Sequence, residues 1–414
     1  MSKGQAASAL LDAETRAGSN AKQASARRDW ILLPLMAILP LIVLVAFTEF
    51  IARQTFIESP PTSHPCLVLN DASTGVRAIP NSVCMQKTLE SGWVEFRFNG
   101  SGHRAVMEAL PKPPGVYRIV LIGSSLSEGW TVPREKSFAA LLPGMLSKDT
   151  GHDIDLYNEG MEWGSPHSTD LRFNQVLEAK PDLILWPVTP WDIYNVSMTV
   201  PYPTNAESSS THKAGEGGTR TGPLHRLWAK LTMAKLTDFL SHNSKAFFML
   251  QHWLYKSDSI YLGRSLSVTD EWTPSLQDRP SAEWQEKLRQ FDGYTADMMA
   301  RAKAAGVPFV VMALPRHAQA VMIASGDWPA NLNPYSFGDQ LKPIVEKNGG
   351  VYIDILPDFR NLRHIHSDFY PVDPHLDIAG HAAVATVLEK GLTGGAIPAL
   401  SAQSPAAETA QGAK

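Results

Sequence analysis

The longest apolar run in the chain, Trp30 to Thr48, reads WILLPLMAILPLIVLVAFT and meets no charge before Glu49. A helix needs about 20 mainly apolar residues to cross the hydrocarbon core of a bilayer. The run therefore predicts a membrane anchor over 30–51. Pro34 and Pro40 are tolerated in such a helix where neighbours satisfy the freed carbonyls. A cleaved signal peptide has a shorter apolar region and small residues at its cut site, and Glu49-Phe-Ile-Ala-Arg53 offers no clean site. A buried soluble helix rarely runs unbroken for this length. Lys3, Arg16, Lys22, Arg27 and Arg28 precede the run. The positive-inside rule then keeps a tail, 1–29, in the cytoplasm and puts everything beyond about residue 50 outside, on the periplasmic side of a cell membrane crossed once.

Beyond the anchor the pattern changes. Residues 54–115 are irregular and rich in Pro, Asn and Gly, with one alternating strand-like stretch, Val94-Glu-Phe96-Arg-Phe98, ending at Asn99-Gly100. After Pro113-Pro114-Gly115 short apolar runs alternate with helical spacings. Strands are expected at Val116–Ile122, Ile154–Asn158, Leu183–Val188, Phe309–Leu314 and Val351–Leu356. Helices are expected around Phe138–Met145, Leu171–Leu177, Ala282–Ala305, Phe337–Lys347 and Ile378–Leu392. Such alternation implies an α/β domain over 116–393, with a parallel sheet covered on both faces. Ligands of such sheets sit beyond the carboxyl ends of the strands.

One interruption, 196–280, is too long for an ordinary loop. Asn205–Gly222 is polar and rich in Gly and Ser, and Leu224, Leu227, Trp228 and Leu231 then fall on one helical face. Phe247, Phe248, Trp253 and Tyr255 follow. Two readings stand: a lid or interfacial helix on the membrane, or a helical insertion packed on the domain. The tail 394–414 is rich in Ala, Ser and Gln and is expected to be disordered.

Composition narrows the function classes. With 37 Lys+Arg against 41 Asp+Glu the 414-residue chain has a net charge of −4. That lacks the basic footprint of a nucleic-acid binder, so no nucleic-acid partner is expected. Only 2 cysteines are present, too few for a disulfide scaffold or an all-cysteine zinc site. Once residues past 50 are placed outside, Cys66 and Cys84 are expected to pair. Such a link typically contributes about 3 kcal/mol.

Two clusters carry candidate chemistry. Gly123-Ser124-Ser125-Leu126-Ser127-Glu128-Gly129 follows the first strand of the domain. A Gly before a Ser at a strand-to-helix turn lets the backbone bend and exposes the hydroxyl, though Gly/Ser clusters also mark ordinary turns. Asp373-Pro374-His375-Leu376-Asp377 precedes the last helix. An Asp two residues before a His can accept from one imidazole nitrogen while the other faces a nucleophile. Alternatively, His375 and Asp377 simply open the helix, with Asp377 as cap.

Taken together and in this order, the clusters resemble the SGNH, or GDSL, family of esterases and acyltransferases. Gly123-Ser124-Ser125-Leu126 resembles its opening block, with Ser124 at the family's Asp and Ser125 at its nucleophile. Asn158-Glu-Gly160-Met-Glu-Trp-Gly164 resembles the second block, with the second Gly one residue later than usual. His375 and Gly380 fit the closing block, where Asp373 sits two rather than three residues before the His. The third block departs most: Thr189-Pro-Trp191-Asp192 stands for Gly-x-Asn-Asp, with Trp191 at an Asn that donates to the oxyanion. The resemblance spans about residues 94–392, apart from the insertion.

The resemblance implies a three-layer α/β/α, flavodoxin-like fold with a five-stranded parallel sheet. It implies Ser125 as nucleophile, His375 as base, Asp373 as its partner, and the amides of Ser125 and of Gly164 or Gly160 as oxyanion donors. No cofactor is expected. His364-Ile-His366-Ser-Asp368 contains a His-x-His pair of a kind that binds zinc, but no spaced third ligand set accompanies it. The motifs leave open whether water or a sugar hydroxyl resolves the acyl-enzyme, and hence esterase or O-acyltransferase. Location points to an acylated envelope glycan or glycolipid. The alternative is a catalytically impaired module that binds an envelope polysaccharide or an assembly partner.

Overall fold

The computed structural model describes residues 32, 35–57, 65–71, 73–198, 237, 239–241, 243–267, 273–362 and 365–401. The expected tail 1–29, Trp30, the Asn205–Gly222 run, the Leu224–Leu231 face, His364 and the end of the tail lie outside them. The chain divides into two compact units: residues 1–56 with 221–250, and residues 57–220 with 251–414.

In the first unit, α1 (Leu35–Thr55) is a helix of 21 residues with a mean hydropathy of 2.5 over its most apolar window. It is long and apolar enough to cross a membrane, by length and composition; a signal sequence near an N-terminus meets the same description. Its Glu49 carboxylate accepts from Ser244 Oγ at 2.7 Å and from Ala246 N–H at 3.0 Å. Those bonds satisfy donors at the start of a later helix, where negative charge is favoured.

The second unit opens with two hairpins. β1 (Leu67–Asp71) pairs with β2 (Gly75–Ala78), and β3 (Val83–Gln86) with β4 (Val94–Arg97). Cys66 and Cys84 are disulfide-bonded and tie the hairpins together. Their apolar sides, with Phe96 and Phe98 fully buried, pack on Met161, Trp130 and Trp163.

The main sheet holds β5 (Tyr117–Leu121), β6 (Ile154–Asn158), β7 (Leu183–Val188), β8 (Phe309–Ala313) and β9 (Val351–Ile353), in the order β6-β5-β7-β8-β9, all parallel. β7 and β8 are buried at every residue, as strands covered on both faces must be. The helices follow as α2 (Ser125–Glu128), α3 (Phe138–Thr150), α4 (Pro166–Glu178), α5 (Pro190–Tyr194), α6 (Lys245–Leu254), α7 (Asp258–Ser267), α8 (Ala282–Ala304), α9 (His317–Ser325), α10 (Ser336–Lys347) and α11 (Ile378–Thr393). α3 packs with α11, and α4 and α10 pack with α8, giving the outer layers. Ser137 and Ser281 cap α3 and α8 by accepting amide protons of the first turn.

The expected three-layer α/β/α arrangement is therefore the one found, and its strand order is flavodoxin-like. In that order the chain reverses direction between β5 and β7, so a crevice opens at their carboxyl ends.

Candidate active site

β5 runs into Gly123 at that crevice. Gly123 has φ +141°, and a Cβ there would lie 2.3 Å from Ser127 Oγ. Glycine alone fits this bend. The chain enters α2 at once, with Ser124 as N-cap and Ser125 as first helical residue. The Ser125 N–H thus belongs to the unsatisfied first turn of a helix, and it has no acceptor among the described residues.

The loop before α11 folds back on itself. Phe369 and Leu376 form an antiparallel bridge, and Tyr370 N–H donates to His375 O at 3.0 Å. Asp377 caps α11 by accepting Gly380 N–H at 2.9 Å. His375 is not part of the helix. Its Nε2 lies 2.8 Å from Ser125 Oγ, and its Nδ1 lies 2.6 Å from Asp373 Oδ1. The same carboxylate oxygen accepts His375 N–H at 3.0 Å. The two readings of this segment are thus compatible, because the cap and the imidazole use different residues.

Burial pushes the Asp373 carboxyl up. The charge of His375, its two hydrogen bonds and the nearby Arg316 outweigh burial and hold Asp373 below its ordinary range. An ionised Asp373 on Nδ1 fixes the imidazole tautomer that leaves Nε2 ready to accept the Ser125 proton.

The opposite wall departs from expectation. Gly160 N–H donates to Asn158 Oδ1 at 2.9 Å, and Gly164 N–H to Met161 O at 2.8 Å. Both amides expected at the oxyanion donate within their own loop. Gly160 has a packing role instead: a Cβ there would lie 2.6 Å from Glu128 N, beneath the serine turn. The residue before Gly164 is Trp163, in the position where the family has its glycine. Its φ is +61°, a left-handed conformation that costs a non-glycine residue about 1–2 kcal/mol. Trp163 lines the cavity, and its backbone N–H has no acceptor among the described residues.

The third turn is held by Asp192, which accepts from Thr189 N–H and Thr189 Oγ1, each at 2.7 Å. Ser124 also hydrogen-bonds to it, tying this turn to the serine turn. Burial pushes Asp192 up to about 6 against these bonds. Trp191 presents its ring to the cavity where the resemblance has Asn, and Asn195 bonds back to Trp191 O at 3.2 Å, so it does not substitute.

The resulting cavity is about 460 Å³ and is lined by Ser124, Ser125, Leu126, Trp130, Glu162, Trp163, Thr189, Trp191, Arg316, Asp373, Pro374 and His375. That size is usual for small-molecule sites, about 300–1,000 Å³. Burial pushes the Glu162 carboxyl well above its ordinary range, and the adjacent buried Glu128 adds to the effect. Arg316, Glu162, Trp130 and Trp163 were not singled out from the sequence. The late second glycine was the one trace of Trp163. Among the described residues no group of three His, Cys, Asp or Glu side chains is placed to hold a metal ion.

No protein-family model matches the chain, and no curated protein matches it. Solved structures do. An alpha/beta hydrolase enzyme from the metagenome of Lake Arreo, Spain, is 13% identical, with a TM-score of 0.37 over 66% of this chain and 94% of that one. A catalytic mutant of an acetylxylan esterase from Geobacillus stearothermophilus is 12% identical, with a TM-score of 0.35 over 69% and 95%. An SGNH-hydrolase family esterase is 12% identical, with a TM-score of 0.28 over 58% and 77%. The function of the chain is read from the site itself.

Proposed function

We propose that the protein is a serine ester hydrolase of the SGNH type, anchored by α1 with its α/β unit on the extracytoplasmic side, acting on an acylated envelope glycan or glycolipid. The observation that carries this reading is the line Ser125 Oγ–His375 Nε2–Asp373 Oδ1, at 2.8 and 2.6 Å, opening on a cavity. Ser125 attacks the ester carbonyl carbon as His375 takes its proton. The tetrahedral intermediate collapses to an acyl-serine, and His375 returns the proton to the leaving alcohol. Water, activated by the same imidazole, releases the acid. A sugar hydroxyl in place of water makes the reaction an O-acyl transfer.

The Ser125 and Trp163 amides are the donors we assign to the oxyanion, because both residues line the cavity and neither amide has an acceptor among the described residues. Trp130, Trp163 and Trp191 support a carbohydrate ester: an indole face offers a broad apolar plane for the C–H face of a sugar ring, with Glu162 and Arg316 beside it for hydroxyls. Arg27-Arg28 before the apolar run support the orientation.

The test is turnover of a short-chain aryl ester by the full-length protein, with His375→Ala as control. The reading requires turnover that the variant lacks. A second reading, a binding module that has lost turnover, is favoured by Trp191 at the Asn position. Retained binding of an acylated polysaccharide with no ester turnover selects it.

A further inference from the structure

The tip of the folded-back loop, Val372 and Asp373, is not held by its own bridge. Its two amides point instead at a carboxylate from the far end of the chain. Asp373 N–H donates to Glu90 Oε2 at 2.7 Å, and Val372 N–H to the same oxygen at 3.1 Å and to Oε1 at 3.2 Å. Glu90 lies between β3 and β4, and its side chain is 1% exposed. Its own turn is stiff: Thr88 N–H donates to Ser91 Oγ at 2.9 Å, Ser91 N–H to Thr88 Oγ1 at 3.0 Å, and Glu90 N–H to Thr88 Oγ1 at 3.3 Å. The disulfide at Cys84 anchors β3 just before it.

The outer oxygen, Oε1, meets His252 Nδ1 at 2.5 Å, on α6 in the long interruption. A second prop from the same interruption reaches the base of the loop. Tyr261 of α7 stacks on His317 at 3.9 Å, and His317 stacks on Phe369 at 4.6 Å. Both segments that lie outside the α/β pattern thus converge on the loop that carries Asp373 and His375.

We propose that Glu90 and His252 are positioning residues: they fix the backbone of Asp373, and through it the angle and reach of the His375 imidazole toward Ser125. The inference rests on the esterase reading above. A buried carboxylate that accepts two neighbouring amides sets where that backbone sits. Removing it leaves two half-buried N–H groups without this acceptor. A displacement of about 1 Å at a reacting group, caused from a distance, costs about 100-fold in rate. His252 acts one bond further out, by holding Glu90 Oε1.

The experiment uses the full-length protein and four variants: Glu90→Ala, Glu90→Gln, His252→Ala and His252→Asn. Steady-state kinetics on the aryl ester are paired with mass-spectrometric hydrogen exchange of the peptide covering 372–376. Glu90→Ala is expected to lower kcat about 10- to 100-fold with KM within about twofold, and to speed exchange at 372–373. Glu90→Gln keeps one carbonyl oxygen for Asp373 N–H and recovers most of kcat. His252→Ala, at a partly exposed site, lowers kcat about threefold to tenfold; His252→Asn recovers it, because the amide nitrogen takes the place of Nδ1.

Unchanged exchange at 372–373 in Glu90→Ala overturns the proposal, whatever the kinetics. Faster exchange with an unchanged kcat overturns it too, as does a loss carried in KM. A wild type that turns over no ester sinks the esterase reading instead, and the positioning of the loop is then decided by exchange alone. If Glu90→Ala fails to fold, His252→Ala against His252→Asn carries the comparison: no change in kcat or in exchange at 372–373 in His252→Ala overturns the proposal.

Discussion

On one side of the cavity a serine, an imidazole and a carboxylate stand in line at 2.8 and 2.6 Å. On the other, the two glycine amides expected to face an oxyanion are bonded into their own loop, and indoles occupy the glycine and asparagine positions. On the proposed reading, the first side transfers a proton and keeps the expected residue types because that chemistry admits few substitutes. A base of suitable pKa, oriented by a carboxylate, has to be built from His and Asp or Glu. The oxyanion side depends on N–H groups, and a backbone amide can be supplied by any residue that holds the right φ. Trp163, the residue we assign to this place, has φ +61° and lines the cavity.

The largest effect is expected on the proton-transfer side. Asp373→Asn should lower kcat by about 10⁴, since an amide at Nδ1 favours the wrong imidazole tautomer. Kinetics with the aryl ester measure it, and a loss below tenfold would show that Asp373 does not orient His375.

Asp192 links the two sides through Thr189 and Ser124. Its folded-state value of about 6 lies above the ordinary 3.8. It therefore contributes stability that is complete below 3.8 and lost as pH rises through about 6. Asn does not titrate. The stability of wild type minus that of Asp192→Asn should fall by about 3 kcal/mol between about pH 4 and pH 8. Denaturant unfolding at several pH values measures this, and a flat difference would contradict the assigned burial effect.

Trp191→Asn restores the donor that the resemblance places there. It should raise kcat for a small ester about tenfold, less than the 10²–10³ that a preorganised donor supplies. No gain would mean that the amides of Ser125 and Trp163 already complete the oxyanion site. The smallest effect is expected for Trp163→Gly, which keeps the amide and removes the ring. It should leave kcat within about twofold and raise KM for an acylated oligosaccharide about fivefold, since a stacking ring contributes about 1 kcal/mol. A fall in kcat with KM unchanged would assign the ring to chemistry rather than to binding.

The same contrast governs what the sequence made legible. β7 could be read residue for residue, and β5 and β8 within a residue at each end, because strands buried on both faces appear as short apolar runs; β6, at the sheet edge with Asp155 and Leu156 half-buried, was also read to its ends. The strand expected over Val351–Leu356 stops at Ile353, as the chain turns into a 3₁₀ segment from Leu356. α9 was not read at all. Seven of its nine residues, His317–Ile323, are buried, so it shows no polar face for a helical period to mark. β1, β2 and β3 are only 4 or 5 residues long and lean on a disulfide.

In the site, Ser125, Asp373 and His375 were legible from residue type and order along the chain. Glu90 was not, since it meets Asp373 across a separation of 283 residues and nothing near it announces the contact. Arg316 and Glu162 are of the same kind: a charge becomes informative only when the fold brings it to the cavity.

The proposed mechanism stands on Ser125 Oγ as a nucleophile activated by His375. The most direct measurement is mass-spectrometric mapping of a fluorophosphonate adduct on the full-length protein, with Ser125→Ala and His375→Ala alongside. One adduct is expected, on Ser125, absent from Ser125→Ala and slowed at least about 10³-fold in His375→Ala. An adduct on another residue, or equal labelling of all three proteins, would contradict it.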